Sequence, residues 1–167
     1  MSERARKMID DTTSNSFACD LAKWLWIMET YEKGGHAYHA TMPTDGLVTF
    51  SHMMNEMKQI GFDTVYHRQK ELGDRVRSLL AMKGFKSVAA DGYDAPGVVV
   101  CYTDDPAIQN GSKFAELGLQ IAAGVPLQCG EPDGFSTFRL GLFGLDKLNN
   151  IDAAVATLEK ALDHVLA

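Results

Sequence analysis

A single arginine stands inside an apolar run near the end of the sequence. The stretch TFRLGLFGLDKL, residues 137–148, has Arg139 flanked by apolar residues and glycines. Alternate side chains of a β-strand face opposite sides, so Phe138 would face the core, and Arg139 would face outward with Gly141 and Phe143. A guanidinium on a rigid strand offers parallel donors that match the two oxygens of a carboxylate. The pattern indicates a site for a small anion, for which the missing side chain of Gly141 leaves room.

A second interpretation of Arg139 needs no ligand. On an exposed strand face the side chain would be hydrated, or it would pair with a nearby carboxylate such as Asp146. Exposed ion pairs of this kind add little to stability and are common on protein surfaces. Strand position alone favours this second interpretation.

Another group of polar side chains lies in the segment AYHATMP, residues 37–43. Tyr38 and Thr41 carry hydroxyl groups, and hydroxyls and free backbone N–H groups of a loop are suitable donors to a phosphate dianion. The alternative is that these side chains only line a turn. His39 lies between them and is assigned no role.

Most common catalytic motifs are absent. The sequence contains no glycine-rich phosphate loop, nucleophile elbow, zinc-protease helix or paired-cysteine motif. Its five histidines have no metal-ligand spacing to cysteines or carboxylates, and the acidic segment DDPAIQNG lacks the spacing of a calcium loop. No metal site is predicted, and the residues alone indicate no nucleophile or general base.

Composition restricts the class of protein. A length of 167 residues fits one ordinary domain, with 46% apolar and 23% charged residues. The formal charge of -6 argues against a nucleic-acid partner, which requires a basic surface. No apolar leader or membrane span is expected. The cysteines Cys19, Cys101 and Cys129 are an odd number at irregular spacing, which favours free thiols and a cytosolic location.

Helical and strand-like segments follow one another in separate runs. Apolar residues at helical spacing predict helices over about 17–33, 47–60 and 64–83 and a terminal helix after residue 150. Four short runs predict strands: FKSVAA, GVVVCYT, LQIAAG and TFRLGLFG. This order predicts an α+β fold with a small, mostly antiparallel sheet of three to four strands and helices packed on one face.

Individual residues give the expected helix ends and the expected core. Asp63 and Asn150 are placed to cap two of the helices at their N-termini, and Asp20 lies near the start of the first helix. Met54 and Met57 lie on the apolar side of the second predicted helix and are expected in the core.

The first helix is more apolar than a small domain can cover. It contains Trp24 and Trp26, and we expect it to pack on a surface outside this sequence. A weak boundary between residues 34 and 43 divides an N-terminal arm with its helix, residues 1–43, from a compact α+β domain, residues 44–167.

Two motifs together resemble a known family. The segment YHATMPTDGL, followed about a hundred residues later by FRLGLFGLDKL and a terminal helix, resembles the C-terminal portion of class V pyridoxal-phosphate-dependent aminotransferases. The resemblance is to the alanine–glyoxylate and serine–pyruvate aminotransferase group and runs from about residue 16 to the end. It implies that the α+β fold is the small C-terminal domain of fold type I enzymes.

The resemblance implies roles for three residues. Arg139 occupies the position of the arginine that binds the substrate carboxylate in this family. Tyr38 and Thr41 match residues that contact the phosphate of pyridoxal 5'-phosphate bound to the partner subunit, so a homodimeric full-length enzyme is implied. Its substrates would be amino acids and 2-oxo acids such as glyoxylate or pyruvate.

One family feature has no counterpart in the sequence. No lysine lies in the motif where the family holds its cofactor as a Schiff base, so we expect the chain alone to lack transaminase activity. Two other hypotheses remain: a free-standing regulatory or binding module for small carboxylates, and a dimerisation domain that associates through the helix of Trp24 and Trp26.

Overall fold

The computed structural model describes residues 1–167, which form two compact units, Met1–His52 and Met53–Ala167. The bounds of the helices are α1 Glu3–Asp10, α2 Leu21–Glu32, α3 Thr44–Ile60, α4 Phe62–Met82, α5 Pro106–Gln109, α6 Ser112–Ala115, α7 Leu145–Asn149 and α8 Ile151–Val165. The strands are β1 Val98–Tyr102, β2 Ala122–Ala123 and β3 Thr137–Gly141. No helix has the length and apolar character needed to cross a lipid bilayer.

The first unit contains α1, α2 and the beginning of α3. Helix α2 begins after Asp20, whose carboxylate caps the helix by accepting a hydrogen bond from the backbone N–H of Lys23 at 3.0 Å. Arg6 of α1 pairs with Glu29 of α2. Ile27 is the only buried residue of α2, and α3 has none.

The second unit is built on a three-stranded antiparallel sheet with the order β1-β3-β2. Arg139 in the central strand lies opposite Val100 of β1 and Ala122 of β2. The small antiparallel sheet with helices is the predicted α+β fold. The run FKSVAA does not form a fourth strand: it contributes only an isolated bridge between Ser87 and Cys101.

One face of the sheet carries the core. Phe138 is fully buried, and Leu140 and Leu142 are nearly so, as strand alternation predicts. Helices α4 and α8 pack together against this face, and α8 is capped by the Asn150 side chain, which accepts from Ala153 N–H at 3.1 Å. Burial of these side chains, each contributing about 1.5–3 kcal/mol, is what holds the unit together.

A half-buried arginine fastens the segment before β1 to α4. Arg77 pairs with Asp94 at 3.2 Å, and its Nη2 donates to the carbonyls of Ala95 at 2.8 Å and Val98 at 3.1 Å. Its Nη1 also donates to Ser87 Oγ at 3.4 Å. These contacts satisfy the carbonyl of Ala95 in the irregular segment before β1 and that of Val98 at the beginning of β1.

Two expectations at the helices are wrong. Asp63 does not cap α4: the helix begins at Phe62, and its N-cap is Gly61 with a φ of 94°, a left-handed conformation that suits glycine. Met54 is exposed and does not belong to the core. Met57 is partly buried and packs against the core. A helical stripe indicates which side could be buried, but burial also needs a neighbouring surface.

Candidate functional site

Arg139 lies at the centre of the outer face of the sheet. Its side chain is half-buried, and Gly141 on the same face is exposed. Its two cross-strand neighbours, Val100 and Ala122, are apolar, so no opposite charge faces it from the adjacent strands. The ring of Phe143 lies 3.8 Å from the position that a Gly141 Cβ would take, so an aromatic ring lies beside the space above Gly141.

The guanidinium of Arg139 is fixed at one point only. Its Nε donates a hydrogen bond to the carbonyl oxygen of Ala123 at 2.9 Å. No carboxylate lies within ion-pair distance of it, and Asp146 is instead 3.4 Å from Lys147. The Nε bond sets the plane of the group, while the terminal N–H groups have no protein acceptor. This arrangement can bind the two oxygens of a carboxylate without first breaking an ion pair.

Tyr38 and Thr41 lie in the first unit and are brought together there. Tyr38 Oη is 3.3 Å from Thr41 Oγ1, and both side chains are exposed. Two hydroxyls at this separation can donate to different oxygens of one phosphate group. Arg139 belongs to the second unit.

His39 has a clear structural role that sequence reasoning did not assign. Its Nε2 is 2.9 Å from the carbonyl oxygen of Phe17, which can only accept, so Nε2 carries the hydrogen. Its ring centroid lies 4.3 Å from that of Phe17 and 5.2 Å from that of Trp24. His39 therefore anchors the segment that carries Tyr38 and Thr41 to the beginning of α2.

A second feature that the sequence did not reveal is a turn in the loop between β2 and β3. The carboxylate of Glu131 accepts hydrogen bonds from three consecutive backbone N–H groups, those of Leu127, Gln128 and Cys129. Hydrogen bonding from its own backbone N–H, and then from those of Cys129, Gln128 and Leu127, stabilises the ionised form and lowers the pKa of Glu131 to about 2. No spacing rule marks a glutamate that folds back onto its own loop.

Gly124 lies between β2 and this loop and is tightly enclosed. Its N–H donates to the Gln109 carbonyl at 3.3 Å, and Gln109 Nε2 donates to the Gly124 carbonyl at 3.2 Å. A Cβ at this position would lie 1.8 Å from the carbonyl oxygen of Thr137, so only glycine fits. The chain is thus held next to Ala123, whose carbonyl binds Arg139.

The free edge of β3 borders an apolar groove of about 340 Å³. Strand β2 pairs only with Phe138 and Arg139, so the ladder on that side ends before Gly141. The floor of the groove is formed by Leu140, Leu142 and residues of α8. Arg139 does not line the groove, but Gly141 does, so the groove begins next to the space beside Arg139.

Comparison with known proteins adds information on the fold. No protein-family model and no curated protein matches the sequence. An alanine–glyoxylate aminotransferase from Nostoc sp. superposes on 100% of this chain with a TM-score of 0.75 at 18% identity. A ureidoglycine–glyoxylate aminotransferase from Bacillus subtilis superposes on 99% of it with a TM-score of 0.70 at 19% identity.

This chain covers 42% of the length of each of these two enzymes. At such low identity the likeness concerns the fold and not the reaction. The chain therefore has the fold of a portion of two glyoxylate aminotransferases, which is the fold that the motifs around Tyr38 and Arg139 predict.

Proposed function

We propose that this chain is the C-terminal portion of a class V aminotransferase that transfers an amino group between an amino acid and a 2-oxo acid such as glyoxylate or pyruvate. The observation that carries the proposal is the guanidinium of Arg139, oriented by Ala123 and lacking a carboxylate partner. The shared fold with two glyoxylate aminotransferases supports it. The full-length protein would be a cytosolic homodimer.

In this proposal Arg139 orients the substrate. A two-pronged contact to the α-carboxylate fixes the position and rotation of a small acid, which places its reacting carbon in a defined direction. The apolar neighbours Val100 and Ala122 keep competing charges away from the guanidinium. Binding is strengthened because the terminal N–H groups exchange only water for substrate oxygens.

The cofactor of such an enzyme is pyridoxal 5'-phosphate, and the chain offers donors that fit its phosphate. Tyr38 Oη and Thr41 Oγ1 are exposed hydroxyls 3.3 Å apart, a donor pair suited to a dianion. When bound, the cofactor supplies an electron sink for the substrate carbon. Tyr38 and Thr41 would hold its phosphate on the partner subunit, while His39 keeps their segment in place.

The test of Arg139 uses the full-length protein. Arg139→Ala should lower kcat/KM for the amino-acid substrate roughly 30- to 150-fold, equivalent to about 2–3 kcal/mol of charged hydrogen bonding. Absorbance of the bound cofactor should stay unchanged. Arg139→Lys keeps the positive charge but not the parallel N–H donors of the guanidinium, and it should recover only part of the lost kcat/KM. Unaltered amino-acid kinetics in Arg139→Ala would contradict the proposal.

The test of Tyr38 and Thr41 measures cofactor retention instead. The double variant Tyr38→Phe and Thr41→Val removes both hydroxyls and should raise the dissociation constant of pyridoxal 5'-phosphate in the full-length protein. Thr44→Val, which removes a hydroxyl that bonds only to the Met42 carbonyl, is the control. If the double variant binds the cofactor as tightly as wild type, the phosphate role is wrong.

A further inference from the structure

The loop between β2 and β3, residues 125–136, has both of its ends beside Arg139. At its start, Ala123 accepts the Nε hydrogen bond of Arg139 at 2.9 Å, and Gly124 follows directly. At its end, the ring of Phe135 packs against Tyr102 with centroids 5.7 Å apart. Tyr102 lies opposite Thr137 on β1, so it is a diagonal neighbour of Arg139 on the same sheet face. The chain just before the loop therefore contacts the Arg139 side chain, and the end of the loop packs on a residue of the same sheet face.

The loop has one defined conformation in its middle. The three N–H groups that bind the Glu131 carboxylate form an anion-binding concavity that the chain fills with its own side chain. Gln128 has a φ of 59° and is the only non-glycine residue of the chain with a positive φ. Backbone strain of this kind persists only where surrounding contacts enforce it, and here the Glu131 contacts do so.

The same loop presents apolar side chains to solvent. Val125 and Leu127 are exposed to 44% and 47%. Pro126 and Pro132 restrict the backbone on either side of the turn. The loop therefore has a defined turn and an apolar surface, and it follows directly on the residues that contact an arginine without an anionic partner.

We propose that the loop 125–136 forms a wall of the anion site at Arg139 that limits the size of the acid bound there, and that Glu131 is the positioning residue that holds this wall. The inference rests on the proposed carboxylate site at Arg139. Acids with a short apolar part fit beside the wall, and acids with a large one require the turn to open.

The experiment follows Arg139 of the 167-residue chain by ¹⁵N–¹H NMR, including its Nε signal, during titration with pyruvate or phenylpyruvate. Wild type should bind pyruvate more tightly. In Glu131→Ala the ratio of the two dissociation constants should fall about tenfold, the lower end of the discrimination that an apolar contact provides. In Glu131→Gln, which keeps one acceptor oxygen, the ratio of the two dissociation constants should fall less.

Two variants serve as controls. Asp133→Asn removes the same charge from the same loop and should leave the ratio unchanged, because Asp133 has no ion-pair partner. Gln128→Gly relaxes the positive φ but keeps the Glu131 acceptors and should also retain wild-type discrimination. Core amide signals verify that each variant is folded.

The outcomes separate this inference from the proposed function. If neither acid shifts the Arg139 signals in any variant, the carboxylate role of Arg139 fails, and the inference fails with it. If acids bind at Arg139 but Glu131→Ala keeps the wild-type ratio, the wall is wrong and the carboxylate site stands. An equal change in Asp133→Asn would show a charge effect and would also overturn the wall.

Discussion

Helices α2 and α8 are both rich in apolar residues, but they differ in burial. Three residues of α8 are buried, whereas Ile27 is the only buried residue of α2. In α8, Ala161, Leu162 and Val165 are buried in the core of the second unit. In α2, Trp26 and Met28 are each exposed to 50%. The second unit therefore buries the apolar side of α8 in its own core, whereas the apolar surface of the first unit is suited to covering by another surface.

The strongest test of this contrast compares two phenylalanines. Phe138 in β3 is fully buried and Phe50 in α3 is 62% exposed. Phe138→Ala should lower the free energy of unfolding by about 3–5 kcal/mol, the usual effect of removing a core aromatic ring. Phe50→Ala should change it by less than about 0.5 kcal/mol. Urea unfolding monitored by circular dichroism measures both, and equal effects would remove the distinction between the units.

A smaller effect is expected at Arg77, which stabilises the second unit through carbonyls. Arg77→Met retains the apolar stem but leaves the Ala95 and Val98 carbonyls without their donor, and it should destabilise by about 1.5–3 kcal/mol. The control is Arg75→Met, since Arg75 pairs with Asp152 and Glu71 at the surface. Its loss should leave the urea midpoint near that of wild type.

The reactivity of the three cysteine thiols tests the difference between buried and exposed parts of the two units without any mutation. Burial raises the pKa of Cys101 in β1 to about 11, while Cys19 in the first unit and Cys129 in the Glu131 turn are exposed. At pH 8, Cys19 and Cys129 should react with a thiol reagent in the native protein, and Cys101 should react only after unfolding. Mass spectrometry of the labelled protein identifies the sites. Rapid labelling of Cys101 would mean that the sheet opens easily.

The smallest expected effect is the acid response of the Glu131 turn. The pKa of Glu131 is about 2, below its ordinary value of 4.5, so its contacts stabilise the turn at and above pH 4.5. This contribution is lost as the pH falls from 4.5 through 2. The amide signals of Leu127, Gln128 and Cys129 should therefore titrate together with a midpoint near 2. A midpoint near 4.5 would mean that the turn is open in solution.

Features with a simple period or a local rule could be predicted from sequence. Alternation along β3 identified Phe138 as a core residue and placed Arg139 outward, because a strand has a period of two. The caps by Asp20 and Asn150 were also predictable, since they depend on neighbours three residues away.

Features that depend on contacts between distant residues could not be predicted. The hydrogen bond from Arg139 to Ala123 requires the register of β2 on β3, and β2 has only two residues. The cap expected from Asp63 failed because the left-handed conformation of Gly61 lets α4 begin earlier. Met54 is exposed because no other part of the chain packs over it, and the periodicity of the helix does not show whether such a neighbour exists.

Gly124 has a consequence for how this region can evolve. The chain is fixed there by two hydrogen bonds to Gln109 and by its passage against the Thr137 carbonyl, so the sheet ends at a firm anchor. The loop that follows Gly124 can gain, lose or exchange residues without moving β3, the strand that carries Arg139. The sequence and length of this loop can therefore vary while the fold of the sheet stays the same.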